Sequence, residues 1–242
     1  MGRSWPYVVL LLPPLFWAGN FIVGRAFSAE LGAITMSFYR WLLALCLLAP
    51  FAYSRVRQEL PIILNHLPIL TVLALLSVAS FNVLLYLGLR DTEATNALLI
   101  NSSIPVWIVL FGVLFYNDSL TLRRGLGILV SLFGVSFLIF SGQSQGLTVN
   151  PGDLWVISSS IGWALYSLTL RKKPSDLSGL GFLAYIVLFG VCFNGLLLVI
   201  NPLDEAPLPM TLDTLYAVGY VAIFASLGAY VCWNYGVGQL GA

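Results

Sequence analysis

Few residues in this chain have side chains that could do chemistry, and most of them sit inside apolar runs. The segment "ALLINSSIPVW" (97–107) places Asn101, Ser102, Ser103 and Pro105 near the middle of one such run. In hydrocarbon the amide and hydroxyls need hydrogen-bond partners. Pro105 also removes a backbone donor and clashes with the carbonyl four residues earlier, that of Asn101. Asn101 and Pro105 share one helical face. Similar faces recur. Trp17 and Asn20 lie three apart, as do Trp163 and Tyr166, while Asn82 and Tyr86 lie four apart, as do Tyr230 and Asn234. Amides and aromatic rings with polar tips suit a site that holds a small amphipathic solute without a fixed charge partner. Interhelical hydrogen bonding is the competing role for each pair, at roughly 0.6 kcal/mol per bond in a membrane bundle. Arg40 is the one strong charge well inside an apolar run. It lies about seven residues from the run's edge, or ~10 Å deep at ~1.5 Å per residue, where it can still snorkel outward. A structural or gating role is expected for it, with Glu30 and Glu93 as partners.

Reactions in the covalent sense are not indicated. "GQSQG" (142–146) fits G-x-S-x-G, but that motif needs a strand–turn–helix setting and a histidine base. The single histidine, His66, is expected across the membrane from it. "GVGQLG" (236–241) fits G-x-G-x-x-G without any strand or crossover unit around it. No HExxH, P-loop or metal-ligand cluster is present, so neither an enzyme, a cofactor nor a metal is expected. Cys46, Cys192 and Cys232 fall in apolar runs without paired spacing and read as small packing residues.

The elements that must position these residues follow from composition. The 242-residue chain is 59% hydrophobic and 9% charged, with a mean hydropathy of +0.93. Soluble domains carry about 25% charged residues, so this one could not cover its surface with polar groups. Runs of ~17–25 apolar residues, each enough to cross a bilayer, recur throughout. The chain therefore reads as an all-α polytopic membrane protein with eight spans, near 5–26, 33–53, 67–89, 95–116, 125–141, 152–170, 179–200 and 214–237. Connections are short, and 141–152 and 201–213 are polar and rich in Gly and Pro. "AFSA" (26–29) resembles a signal-cleavage site, but Pro13, Pro14, Trp17, Asn20 and Arg25 precede it, so the first span is expected to stay. A net charge of +1 gives no reason to expect a nucleic-acid partner; the distribution of charge is more informative. With the N-terminus in the cytoplasm, Arg3, Arg55, Arg57, Arg123, Arg124, Arg171, Lys172 and Lys173 lie inside, and only Arg25 and Arg90 outside. That asymmetry follows the positive-inside rule and supports the helix count.

The chain also repeats itself. "WAGNFIVGR" (17–25) and "WALYSLTLR" (163–171) share Trp, Ala and a terminal Arg at an offset of 146, which also pairs Tyr39 with Tyr185 and Cys46 with Cys192. An offset of 148 pairs Gly88 with Gly236, Asn82 with Tyr230 and Tyr86 with Asn234. The unit holds five spans, and an odd number inverts the second copy, a plan recurrent in secondary transporters with a midplane site between the halves.

"PLFWAGNFIVGRAF", "ITMSFYRWLLALCLLAP", the long stretch from "YLGLRDTEATNALLINSSIPVW" to "GVSFLIF", and "GDLWVISSSIGWALYSLTLRK" resemble the EamA repeats of the drug/metabolite transporter superfamily. The resemblance covers nearly the whole chain. It implies ten helices in two inverted five-helix repeats and export of amino acids, related metabolites or drugs across a bacterial inner membrane. Residues 1–141 would form the first repeat and 150–242 a second with three helices, since Ala242 aligns with Ala94. Asp118 in "YNDSL" stands where the family usually has Glu, and is grouped with Arg40 as gating or structural. No Asp or Glu lies deep in an expected span, so gradient-driven transport without a buried proton carrier is expected. The expected partners are a small solute, an amino acid or amphipathic metabolite, and the lipid bilayer. The alternative is a non-transporting membrane scaffold for another protein.

Overall fold

The computed structural model describes residues 5–142, 150–201 and 208–240. Eight helices occupy the positions expected: α1 (Trp5–Ala26), α2 (Ala33–Asn65), α3 (Leu67–Asp91), α4 (Ala94–Tyr116), α5 (Leu122–Gly142), α6 (Pro151–Thr169), α7 (Gly179–Ile200) and α8 (Leu212–Leu240). Among the described residues six of these, α1–α4, α7 and α8, are long and apolar enough to cross a membrane. Helix α6 carries Asp153 and the serine run Ser158–Ser160, and it packs against α3 and α4. Most of "GQSQG" lies outside the described residues, as do Gly241 and Ala242; the described part of "GVGQLG" is plain helix in α8.

Helix α2 differs most from expectation. It runs 33 residues, past the expected end near 53 and through Pro50 and Pro61. At ~1.5 Å per residue that is about 50 Å, well beyond a ~30 Å hydrocarbon core. The extension is anchored by Glu59. Its buried carboxylate accepts a hydrogen bond from the Ser178 hydroxyl at 2.9 Å and from the Ser178 amide at 3.3 Å. Ser178 in turn caps α7, so the carboxylate sits at a helix N-terminus, where negative charge is favoured.

Three helices are interrupted. Helix α1 is broken at Leu10–Leu11, just before Pro13 and Pro14, which occupy the first turn of the second segment and need no intrahelical donor there. Helix α3 widens to π geometry over Leu75–Ala79, and α8 over Val221–Gly228. The offset of 148 carries the first π segment onto 223–227, inside the second. Each wide turn is stitched by a serine donating to a carbonyl five residues back, Ser80 to Leu75 at 2.5 Å and Ser226 to Val221 at 2.8 Å. Such bulges concentrate at functional sites.

The helices define two ends. Arg25, Gly88, Glu93 and Asp153 gather at one, and Asp118, Arg171 and Lys173 at the other. At the Glu93 end α3 and α6 nearly touch. A Cβ on Gly88 would come within 2.8 Å of the Gly152 carbonyl oxygen, and one on Gly152 within 2.6 Å of that of Gly88. Only glycine permits this backbone approach. The offset partner of Gly88, Gly236, meets Leu10 of α1, and Leu10 is itself the offset partner of Val156, which Gly88 meets.

Candidate solute site

Helix α2 starts at the Glu93 end and carries Arg40 two turns in, pointing into the bundle rather than out. Arg40 is 1% exposed. Its Nη1 donates to Asn20 Oδ1 (2.8 Å), Asn82 Oδ1 (2.7 Å) and Tyr86 OH (2.6 Å). Its Nε and Nη2 both donate to Ser226 Oγ, at 2.9 and 2.7 Å. One side chain thus ties α1, α3 and α8 to α2. This corrects two expectations. Arg40 does not snorkel, because four neutral acceptors meet its fork at depth. Nor does it use Glu93, which pairs with Arg25 at 2.9 Å. Glu30 does not take part in the network either.

Tyr86 also donates to Asn20 Oδ1 at 2.7 Å, and Tyr166 donates to Asn234 Oδ1 at the same distance. Positions 20 and 166 are offset partners, as are 86 and 234. The same bond is therefore made twice, with amide and phenol exchanged.

Between these two bonds lies an aromatic cluster centred on Trp163, which is buried. Its ring centroid is 5.0 Å from those of Trp17, Phe81 and Tyr166, 5.3 Å from Tyr230 and 5.8 Å from Trp233. Trp17 and Trp163 are offset partners meeting edge-to-face, as residues near a twofold axis between two repeats would. Trp41 stacks edge-on to Tyr230 at 5.1 Å and lies under the Arg40 guanidinium at 5.2 Å. Aromatic cluster and guanidinium network are therefore one continuous unit.

Sequence reasoning missed Ser226, Trp41, Phe81 and Trp233. Trp233 stands three residues from Tyr230, the spacing used for the other pairs, and could have been found. Ser226 gave no signal, because its offset partner is Val78.

"INSSIP" does open its helix. The first part of α4 ends at Asn101, Ser102 and Ser103 form a turn, and helix resumes at Ile104. Asn101 Oδ1 accepts from Ser160 of α6 at 3.3 Å. Ser102 bonds back to Leu99 O, and Ser103 accepts from Trp107 Nε1 at 3.0 Å. Pro105 is exposed and stands at the start of the second part of α4, just after the break. The turn between them rotates the two residues off the common face that an unbroken helix would give.

Asp118 sits at the other end. Asn117 adopts a left-handed conformation (φ 53°), which ends α4 and turns Asp118 back beneath Gly112, where a Cβ would lie 2.7 Å from Oδ2. Both Asp118 oxygens accept from Arg171 Nη1 at 3.0 Å, linking α4 to the end of α6. At the Glu93 end, Asp153 accepts from Asn96 at 2.8 Å and from Thr92, latching α6 to the α3–α4 turn.

Two recesses flank this centre. One, about 650 Å³, is lined by Leu170, Lys173, Gly179, Phe182, Asn234 and their neighbours at the Arg171 end. The other, about 10 Å³, is lined by Gly24, Phe27, Ala33, Met36, Tyr86 and neighbours at the Glu93 end. The offsets carry Gly24 to Leu170, Phe27 to Lys173, Ala33 to Gly179, Met36 to Phe182 and Tyr86 to Asn234. The two recesses thus have offset-related linings, the smaller one within a repeat of five described helices and the larger one within a repeat of three. At the larger one, burial holds the Lys173 ammonium below its ordinary pKa, while Glu59 and Asp176 pull it back up. Among the described residues no cluster of three metal-ligating side chains occurs.

Comparison with known proteins agrees with this architecture. The sequence pattern of the EamA-like transporter family matches residues 4–140 and 150–242. An uncharacterized transporter of Archaeoglobus fulgidus is 28% identical over 96% of this chain and 80% of its own length. The uncharacterized transporter YyaM of Bacillus subtilis is 27% identical over 71% of this chain; the match spans 57% of that relative. A probable terminal-alkyne amino-acid exporter of Streptantibioticus cattleyicolor is 24% identical over 96% of this chain and 76% of its own length. One solved crystal structure superposes with a TM-score of 0.72 at 17% identity, over 97% of this chain and 79% of that one, and so shares the fold. A family pattern matched over nearly the whole described chain leaves one assignment: this chain belongs to the EamA-like transporter family, a family of membrane transporters rather than enzymes.

Proposed function

We propose that this protein moves amino acids or related small amphipathic metabolites out of the cell by alternating access, with the solute held between repeats 1–141 and 150–242. The observation that carries this reading is the pair of offset-related recesses, about 650 Å³ at one end and about 10 Å³ at the other. Offset-related recesses at opposite ends of two inverted repeats are what alternating access requires. The exporter from Streptantibioticus cattleyicolor supports the solute class.

The Lys/Arg-rich end faces the cytoplasm of a bacterium in this reading, following the positive-inside rule. Arg55, Arg57, Arg123, Arg124, Arg171, Lys172 and Lys173 all belong to it. The larger recess then faces the cytoplasm, as loading for export requires. Asp118–Arg171 at that end, and Arg25–Glu93 with Asp153 at the other, are the contacts that opening and closing would exchange. Asn20, Asn82, Tyr86, Trp17, Asn101, Pro105, Trp163, Tyr166, Tyr230 and Asn234 line the path or stand behind it, Pro105 through the helix break beside Asn101. The acidic groups Asp118, Asp153 and Glu93 sit at helix ends, and the buried Glu59 carboxylate is engaged by Ser178, so transport down a solute gradient is the mechanism favoured.

Counterflow in proteoliposomes containing the full-length protein tests the function. Saturable exchange of at least one radiolabelled amino acid or amphipathic metabolite is expected. Absence of exchange across a broad panel of both classes would overturn it.

A further inference from the structure

The Arg40 guanidinium is a buried cation whose hydrogen-bond partners Asn20, Asn82, Tyr86 and Ser226 are all neutral. Burying an ion without an opposite charge is costly, and the cost is relieved by an anion brought to it. Around it stand further polar groups with nothing to bond. Trp41 Nε1, Asn82 Nδ2 and Tyr230 OH are fully buried and reach no hydrogen-bond acceptor among the described residues. Tyr230 OH lies beside the Asn82 amide without reaching hydrogen-bond geometry. Two of the three are donors only, and the third can donate. A buried cation ringed by unused donors is matched by an acceptor-only group.

We infer that Arg40, Trp41, Asn82 and Tyr230 form an anion subsite that takes the carboxylate of the transported solute. The inference rests on the transport reading above and adds to it the chemical group recognised and the residues that recognise it. Several features set the class. No second Lys or Arg joins Arg40 in the network, so the site matches a monoanion rather than a phosphate dianion. The offset partner of Arg40 is the buried Ile186, so only one half supplies charge and the solute binds in one orientation. Trp163, Trp17 and Tyr166 provide walls for an apolar body next to the charged end. Asn234 at the floor of the larger recess reaches this site through Tyr166 and then Tyr230, whose ring centroids are 6.3 Å apart. An incoming carboxylate replaces Ser226 and Asn20 on the guanidinium. That frees α8 and α1 from α2, and so couples recognition to opening at the Glu93 end.

The test uses quenching of tryptophan fluorescence in the full-length protein in nanodiscs, with L-phenylalanine, 3-phenylpropionate and L-phenylalaninamide as probes. Both carboxylates should bind at least tenfold more tightly than the amide. Tyr230→Phe and Trp41→Phe each remove one donor that has no partner to lose. Each should weaken binding of the carboxylates several-fold and of the amide less; Tyr230→Phe should leave the unfolding temperature unchanged, while Trp41→Phe, which also removes ring volume at a fully buried position, should lower it modestly. Arg40→Lys should shrink the preference for carboxylate. Equal binding of amide and carboxylates, or unchanged carboxylate affinity in both aromatic variants, overturns the inference. Counterflow separates the two readings. Exchange of solutes without preference for a carboxylate removes this subsite alone, whereas no exchange of any solute removes the transport reading with it.

Discussion

Arg40→Leu should lower the stability of the purified protein by about 3 kcal/mol, near the low end of the ~3–5 kcal/mol lost when one member of a buried charged network is removed. Leucine avoids the desolvation of a guanidinium, which on its own would be stabilising. Against that, Asn82 Oδ1 loses its charge-assisted bond at 2.7 Å and Ser226 loses two. Asn82 Nδ2 is already without a partner, so the whole amide would be buried bare. Leaving a buried polar group unsatisfied costs roughly 1–3 kcal/mol, and this substitution does so more than once. Thermal unfolding in detergent, followed by size-exclusion profile or tryptophan emission, reads the change. An unfolding temperature equal to that of the parent would mean that the guanidinium does not hold α1, α3 and α8 to α2.

Trp163→Ala comes second in expected size. The indole is 2% exposed and five aromatic rings have centroids within 5.8 Å of it. Truncation opens a cavity that four of these neighbours are restrained from filling, since Trp17 and Trp233 pack on each other and Tyr166 and Tyr230 do the same. Removal of a buried Trp costs about 3–5 kcal/mol in soluble cores. A membrane bundle loses less of the transfer contribution but the same packing contacts, so about 3 kcal/mol is expected. Solute exchange should fall at least tenfold, because the wall between the two offset-related halves is gone. Trp163→Phe, which keeps an aromatic face towards Trp17 and Tyr230, should recover most of the stability. A fully active, fully stable Trp163→Ala would contradict the placement of the solute beside this ring.

How far the sequence could be read depended on the physics each residue obeys. Helices were legible because in hydrocarbon every backbone group must be satisfied within its own segment, and apolar length alone reports this. The residues of the two recurring bonds, Asn20, Tyr86, Tyr166 and Asn234, were legible only as members of same-helix pairs, Trp17 with Asn20, Asn82 with Tyr86, Trp163 with Tyr166 and Tyr230 with Asn234. Their partners across helices were not. Spacing shows which residues share a face of one helix; it says nothing of which helix they meet. Arg40 illustrates the difference. Its place inside an apolar helix was legible, but its direction depended on Ser226 and Asn82, residues of other helices that no local pattern links to it. Glu59 lies past the expected end of the second span near 53. The helix continues there since the carboxylate has a distant use, capping α7 through Ser178. At Pro105 face-sharing assumed an unbroken helix, in a place where the helix is interrupted at Ser102 and Ser103.

Cysteine accessibility at one offset-related pair tests alternating access most directly. Ala33 and Gly179 line the smaller and larger recesses respectively and are 146 residues apart. Gly179 has free space where a side chain would go, and Ala33 needs only one added atom. In full-length protein freed of Cys46, Cys192 and Cys232, Gly179→Cys should react rapidly with a membrane-impermeant maleimide applied from the Arg171 end. Ala33→Cys should be protected from the other. Saturating transported solute, supplied on the side that drives net export, should slow the first reaction and speed the second together. Reactivities that stay independent of each other under every solute condition, or a Gly179→Cys that is protected throughout, would contradict exchange of the two halves between these states.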